Sequence, residues 1–177
     1  AADSNSIYFS SGNGTYDGIT EFGDTVMKIG QPASGTFPVT DWFTPFDQSN
    51  MNSNDLDLGS GGVVLLPDQP AGSPHQHLLL TAGKTGTIYL IDRDNMGHFN
   101  AANNGQVVQT LPASMPGIWG TPAWWNNNAY FGGTGEYNHG GDHLKAFHFD
   151  ATTGTFASVP TSQSATLFQY AGTTPSV

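Results

Sequence analysis

The sequence predicts an all-β protein, and three observations favour that class over a helical one. The 177 residues include 23 Gly and 11 Pro, which interrupt the segments that could otherwise form helices. Aromatic residues make up 12% of the chain, so short strands have large side chains to bury. Runs of β-branched and aromatic residues alternate with turn-forming clusters, which is the pattern of strands joined by turns.

Eight runs have this strand-like composition, and turn-forming residues separate them. They are residues 6–11, 25–29, 62–66, 77–81, 87–91, 121–125, 129–132 and 143–149. The first run is followed by Gly-Asn-Gly and the fifth by an Asp-rich turn. Three consecutive Asn residues come directly before the seventh run. Two more polar runs, residues 106–111 and 155–159, complete the series.

The runs recur in a fixed order, which indicates an internal repeat. One unit reads strand, aromatic strand ending in small residues and Gly, strand ending in an Asp-rich turn, and a more polar strand. The approximate units are residues 1–58, 59–116 and 117–171. Residues 172–177 resemble the opening of the third unit at 120–123, which predicts the start of a further unit. Residues 1–177 are therefore one segment of repeats.

Four short antiparallel strands in a unit of about 40 to 50 residues are typical of a β-propeller blade. Each blade has two faces that neighbouring blades must cover, and a closed ring usually needs about four to eight blades. About three are present, so we expect an incomplete ring, a propeller arc with apolar faces exposed at both ends. The expected partners are other copies of the chain or missing blades of the same protein. The alternative is a β-sandwich of about ten strands.

Charge and composition exclude several classes of partner and chemistry. Four Lys and Arg oppose fourteen Asp and Glu, for a net charge of −10, and such a surface repels nucleic acids and anionic membranes. No apolar run is long enough for membrane insertion. The chain has no Cys, which excludes disulfides and cysteine nucleophiles. It opens Ala-Ala-Asp without Met, which indicates a processed form or an excerpt, and we expect it to be secreted or periplasmic.

Residues 78–97 resemble the quinoprotein propellers, which include the pyrroloquinoline-quinone (PQQ) dehydrogenases for alcohols. This stretch has an apolar strand, a basic residue, a Gly turn, an aromatic strand and then Ile-Asp-Arg and Gly, similar to the family's typical string. Residues 10–14 resemble the family's Thr-Gly-Asn-Pro segment, and residues 54–58 resemble its acidic Trp-Asp-Tyr segment. The match is closest to bacterial PQQ-like repeat proteins and covers about three blades of a ring that usually has about eight.

The resemblance implies roles for particular residues. Asn13 would ligate Ca²⁺, Asp57 would be the catalytic base that takes the alcohol proton, and Lys84 would contact the quinone. With Asp55, the residues Asn13 and Asp57 form the expected metal ligand set, since Ca²⁺ prefers oxygen ligands. PQQ itself is not expected on this chain alone, because in the family the cofactor lies on the axis of a whole ring.

Two functions of different class remain open from the sequence. The first is a quinoprotein-like repeat module for binding or assembly. The alternative is an enzyme, either a PQQ- and Ca²⁺-dependent oxidoreductase of alcohols or sugars, or a carbohydrate-active hydrolase that needs paired carboxylates. Carbohydrate is a further expected partner, because aromatic rings stack on sugar faces, although core packing is their more common role. The aromatic residues concerned are Trp42, Trp119, Trp124, Trp125 and Tyr137.

Two further groups of residues are candidate metal ligands, each with a plain structural alternative. An acidic stretch supplies carboxylates suited to Ca²⁺, or is a solvated loop; it carries Asp41, Asp47, Asp55 and Asp57. Histidine-containing segments suit Zn²⁺ or Cu²⁺, or are solvated; they carry His75 and His77, and His139, Asp142, His143 and His148.

Overall fold

The computed structural model of the protein describes residues 1–135 and 140–176. The fold is all-β, with 39% of residues in strands and 5% in helices. In chain order the elements are β1 (Ser6–Ser10), β2 (Val26–Gly30), β3 (Val39–Thr44), α1 (Gln48–Ser53), a 3-10 helix (Leu58–Ser60), β4 (Val64–Leu65), β5 (Leu78–Ala82), β6 (Ile88–Asp92), β7 (His98–Phe99), β8 (Gln109–Leu111), β9 (Ala123–Trp125), β10 (Asn128–Thr134), β11 (Gly141–Asp150), β12 (Thr155–Phe156) and β13 (Ser162–Phe168).

These strands form three sheets of four or five strands. Sheet 1 has the order β1-β2-β3-β7, sheet 2 has the order β4-β5-β6-β8, and sheet 3 has the order β9-β10-β11-β12 with β13 also paired to β11. All the pairs are antiparallel except β3 with β7. No helix in the described ranges is long and apolar enough to cross a membrane.

Sheet 2 is buried on both faces, and this places two separate cores in the molecule. On one face, Leu79 and Tyr89 share a cluster with Phe43 of sheet 1. On the other face, Leu80 shares a cluster with Phe131 of sheet 3. Because neighbouring residues of a strand point to opposite faces, the sheets pack face to face in the order 1, 2, 3. The apolar interior is thus divided in two by sheet 2, whereas a two-sheet sandwich would have one interior.

Each of the eight predicted strand runs overlaps a strand of the structure, but the stretch between residues 41 and 57 was wrongly predicted as one polar loop. It contains the end of β3 and all of α1. In β3, the order Val-Thr-Asp-Trp-Phe-Thr has no regular alternation of apolar and polar residues; Phe43 is fully buried, whereas Asp41 is partly exposed. In α1, Met51 is fully buried. The helix has only 6 residues, which is too short for its apolar residues to show the helical periodicity in the sequence.

The short strand β7 was not predicted, and it ties the second repeat to the first sheet. It follows the turn after β6 and pairs in parallel with the end of β3, with Phe43 opposite His98. The His98 ring stacks on Trp42 with ring centres 3.8 Å apart and planes 8° from parallel. Its Nε2 lies 3.0 Å from Asp41 Oδ1. The chain segment that follows β6 of sheet 2 is therefore anchored to sheet 1 by hydrogen bonds and ring stacking, in addition to the core that the two sheets share.

Two-sided burial of sheet 2 makes neighbouring residues of β5 equally important to stability. We expect Leu79→Ala and Leu80→Ala each to lower the free energy of unfolding by about 2–5 kcal/mol, the usual range for deletion of a buried Leu side chain. Urea unfolding followed by Trp fluorescence measures both. Leu167→Ala is the control, because that side chain is 48% exposed and should cost less than about 1 kcal/mol. A near-neutral Leu79→Ala would contradict the two-core arrangement.

Candidate functional site at the junction of sheets 1 and 2

The four residues selected by sequence resemblance meet at one point of the structure. Asn13 follows β1, Asp55 and Asp57 lie between α1 and the 3-10 helix, and Lys84 follows β5. Lys84 Nζ lies 2.8 Å from Asp55 Oδ2 and 2.6 Å from Asp57 Oδ2. The backbone N–H of Asn13 donates to Asp57 Oδ1 at 2.7 Å, and its side-chain amide donates to Asp55 Oδ1 at 2.8 Å.

Glycine allows the backbone segments to approach closely enough for these contacts. A Cβ on Gly83 would lie 2.5 Å from the carbonyl oxygen of Asp57, and a Cβ on Gly12 would lie 2.9 Å from Asp57 Oδ1. The next backbone N–H, that of Lys84, donates to the Asp57 carbonyl at 3.0 Å. Small residues at the ends of β1 and β5 therefore place Asp57 against both sheets.

The Lys84 ammonium has all three of its N–H donors engaged. Besides the two carboxylates, it donates to the backbone carbonyl of Asp55 at 2.9 Å. Burial alone would lower the pKa of Lys84, but the hydrogen bonds and charges of Asp55 and Asp57 raise it above its ordinary value. An ammonium with three partners has no donor left for a ligand, so the cluster is satisfied internally.

Asp57 is held as a carboxylate, which weakens it as a base. Burial alone would raise its pKa, but the hydrogen bonds from Lys84 and from the Asn13 backbone, with the charge of Lys84, lower it below its ordinary value. A general base works best when its pKa is near the working pH. The electrostatic environment of Asp57 therefore suits an ion-paired structural role better than proton abstraction near neutral pH.

Asp24 is a fifth residue of this junction and its third acidic one, and sequence reasoning missed it. It is fully buried, with φ +49, and its Oδ1 accepts a hydrogen bond from the backbone N–H of Leu58 at 3.1 Å. Its Oδ2 has no partner. Burial raises its pKa, and the negative charge of Asp57 adds to this effect. The only sequence signal was an Asp between Gly23 and the start of β2.

The predicted calcium ligands are arranged around an ammonium. Lys84 Nζ contacts the Oδ2 atoms of both Asp55 and Asp57, and Asn13 presents its amide nitrogen, which is a donor, to Asp55. A calcium ion needs six to eight oxygen ligands and would have to displace Lys84 from these oxygens. Within residues 1–135 and 140–176, no three His, Cys, Asp or Glu side chains are grouped so that they could hold a metal ion.

The other candidate ligands from the sequence do not converge on one centre. Asp41 lies in β3, where its Oδ2 accepts a hydrogen bond from the backbone N–H of Met96 at 3.0 Å. His75 Nδ1 lies 2.6 Å from Asp92, whereas His77 Nδ1 lies 2.7 Å from Asp94. The two histidines are thus bound to different carboxylates.

The second histidine group and the aromatic residues have separate surroundings. Asp142 is paired with Lys145 at 2.6 Å, and His143 Nδ1 lies 3.1 Å from the carbonyl oxygen of Thr166. His139 and Tyr137 lie outside the described residues. Trp124 packs against the core between sheets 2 and 3, and Trp125 is exposed on the opposite face of β9.

The ion pair at Asp57 gives a stability that depends on pH. We expect Asp57→Asn to lower the free energy of unfolding at pH 7 by about 2 kcal/mol, a usual value for a hydrogen bond to a charged group. Because the folded pKa of Asp57 is lowered, this contribution is present above the ordinary carboxyl pKa of about 4 and is lost as the pH falls through the folded value. Urea unfolding between pH 2 and 7 should show the two proteins converging in acid.

Asp55→Asn is the matched control, because Asp55 pairs with the same ammonium but its side chain is 73% exposed. It should cost less than about 1 kcal/mol. Equal losses for the two variants, or an Asp57→Asn deficit that persists at the lowest pH, would show that the ion pair is not the source of the stability.

Asp24 should give the opposite dependence on pH. Its folded pKa is raised, so the stability of the parent protein falls as the pH rises from about 4 through the folded pKa of Asp24. Asp24→Asn keeps the acceptor for the Leu58 N–H and has no charge to bury, so it should gain stability over the parent across that same pH interval. Urea midpoints of the two proteins from pH 4 to 9 test this. A constant difference between them would refute the expected titration of Asp24.

Comparison with known proteins adds no relative. No protein-family model matches the chain, and neither a curated protein nor a solved structure matches it.

Proposed function

We propose that the chain is an assembly module, an arc of three propeller-type blades that packs through its two outer sheet faces against further blades of the same kind. The observation that carries this proposal is the difference between the sheets. Sheet 2 has apolar cores on both faces, whereas sheets 1 and 3 each have one such core and a second face with exposed apolar side chains. A sheet needs cover on each apolar face.

The outer face of sheet 1 is apolar across its first three strands. The register pairs Phe9 with Met27 and Ile7 with Ile29, and Ile29 in turn with Val39. Ile7 is 49% exposed and Phe9 is 40% exposed. The residue between them, Tyr8, points the other way into the core between sheets 1 and 2.

The outer face of sheet 3 is also apolar, but it has a different shape. Trp125, Tyr130 and Leu144 line a shallow depression of about 340 Å³ together with Pro175. Trp125 is 58% exposed. An exposed indole beside a depression is a surface of the kind that is enriched at protein interfaces.

The two outer faces are different surfaces of one chain, which favours head-to-tail packing. A heterologous contact of this type produces a closed ring or an open filament, depending on the rotation between units. Within the chain, sheet 2 uses a different face for each of its two neighbours, sheets 1 and 3, and a head-to-tail contact between copies would continue that pattern. We therefore take the outer face of sheet 3 in one copy to cover the outer face of sheet 1 in the next copy.

This proposal accounts for the polar junction better than the oxidoreductase alternative does. The junction residues bind one another, with Lys84 fully engaged and the pKa of Asp57 lowered by its partners. Such a cluster fixes the spacing of two sheets and leaves little for a substrate. A carbohydrate that stacks on Trp125 would occupy the same outer face of sheet 3. Association through that face would therefore compete with carbohydrate binding.

Association should depend on the outer face of sheet 1. We expect the parent chain to self-associate with rising concentration in sedimentation velocity and light scattering, and to bind an apolar dye when dilute. Phe9→Glu places a charge in the interface and should weaken association by about 2 kcal/mol or more, roughly thirtyfold. Ile19→Glu is the control, because Ile19 is 80% exposed in a loop.

A parent chain that stays monomeric at millimolar concentration without dye binding would contradict the proposal. Equal weakening by Phe9→Glu and Ile19→Glu would also contradict it, because the effect would then reflect added charge alone. Loss of fold in Phe9→Glu is checked by circular dichroism, and Trp125→Ala on the complementary face provides an independent variant.

A further inference from the structure

A polar cleft of about 260 Å³ lies apart from both outer faces and from the Asn13–Lys84 junction. It is formed by the amino-terminal segment, β1, β2, the connection between β4 and β5, and the turn that follows β6. Charged groups of both signs line it: Asp3, Lys28, Asp68, His77, Arg93 and Asp94. Nothing in the assembly proposal requires this cleft.

Arg93 is the fixed element of the cleft. Its side chain is only 6% exposed, and its guanidinium carbon lies 6.0 Å from the centre of the Tyr8 ring. Nη1 donates to Asp3 Oδ2 at 3.1 Å, and the Tyr8 hydroxyl donates to the same oxygen at 2.8 Å. Burial and the neighbouring Asp3 raise the pKa of Tyr8 to about 12, so the hydroxyl keeps its proton and this support persists near neutral pH.

The second carboxylate on Arg93 is held far less firmly. Asp68 is 71% exposed; its Oδ1 accepts one hydrogen bond from Arg93 Nη2 at 3.0 Å, and its Oδ2 lies 4.0 Å from His77 Nε2. The adjacent Nε of Arg93 is buried and has no partner. Nε–H and Nη2–H lie on one edge of a guanidinium and match the two oxygens of a carboxylate. Asp68 therefore fills one half of a two-donor site.

We propose that this cleft binds a small monocarboxylate, whose two oxygens replace Asp68 on the Nε and Nη2 edge of Arg93. The exchange costs little free energy, because the exposed Asp68 carboxylate is solvated when it leaves and the incoming carboxylate keeps the buried Arg93 paired. The donor edge is already in place, because the burial of Arg93 and its contacts with Asp3 and Tyr8 fix the guanidinium before a ligand arrives.

The remaining charges of the cleft favour one negative charge over two. Lys28 adds a positive charge, with its Nζ donating to the Arg93 carbonyl at 2.7 Å, and His77 is bound through Nδ1 to Asp94. Asp3, Asp94 and the displaced Asp68 oppose a second negative charge on the ligand. A phosphate offers the same oxygen geometry but carries more charge, so we expect it to bind more weakly than a monocarboxylate.

Acetate titrations of the full chain test the proposal, with the Arg93 Nε–H signal followed by nitrogen-15 NMR. Acetate should saturate a shift of that signal. Asp68→Asn removes the carboxylate that competes with acetate for Arg93. It should tighten acetate binding by up to about fivefold, which is the largest effect expected from loss of a weak surface ion pair. Arg93→Lys has no two-donor edge and should lose about tenfold or more of the affinity.

Asp94→Asn is the matched control, because it removes one negative charge from the same cleft and does not free the Arg93 edge. It should change acetate affinity by less than about twofold, since an exposed charge is strongly screened. An equal gain in Asp68→Asn and Asp94→Asn would refute the exchange, and so would an Arg93 signal that acetate does not move in any variant. Phosphate binding as tight as acetate would overturn the monocarboxylate assignment. If Arg93→Lys fails to fold, the two Asp variants still decide.

Discussion

The side chains of β5 and β6 point alternately to the two faces of sheet 2, and one partner sheet can cover only one of those faces. Leu80 needs sheet 3 to exclude water from it, and Leu79 needs sheet 1. This requirement fixes the order of the three sheets, because any arrangement with sheet 2 at the surface would expose a full row of aliphatic side chains. The positions of sheets 1 and 3 follow from the same requirement, because the apolar side chains on their inner faces must also be covered.

Polar contacts set the spacing of the sheets at the strand ends, where apolar packing stops. Asp57 does this at the junction of sheets 1 and 2, since it accepts hydrogen bonds from Asn13 after β1 and pairs with Lys84 after β5. His98 anchors the segment that follows β6 of sheet 2 to sheet 1 by stacking on Trp42 of β3. Apolar burial has no fixed direction, whereas hydrogen bonds and stacked rings do. The directional contacts therefore determine how far the sheets slide on one another.

Much of the fold could be predicted from the sequence, because its strands are short, apolar and separated by strong turn signals. The strands β5 and β6 are clear examples, with aliphatic runs on both sides of a Gly turn. The strand β3 was missed because Asp41 lies within it, and β7 was missed because its pairing with β3 joins residues far apart in the chain. Such a pairing cannot be predicted from the local composition of either strand.

The residues of the candidate site were selected from the sequence, but the pairing of their charges could not be predicted from it. The resemblance selected Asn13, Asp57 and Lys84, and the structure brings them into contact. A sequence does not show that the ammonium has three acceptors or that Asp24 lies buried beside the cluster with a free oxygen. These facts depend on distances of a few ångströms between separate loops, and they decide whether a carboxylate acts as a base or as one half of an ion pair.

The separation of apolar faces from polar strand ends also bears on how further sheets could join. An added sheet must first cover an apolar face. On sheet 1, outer side chains such as Phe9 provide apolar area for burial, but burial alone does not fix the orientation of the added sheet. Correct rotation then requires directional contacts at the strand ends, of the kind that Lys84 makes within the chain. Because Lys84 is already fully engaged, the contacts that orient a new neighbour have to come from other residues. The net charge of −10 adds a repulsion between the copies, which the burial of the apolar faces has to overcome.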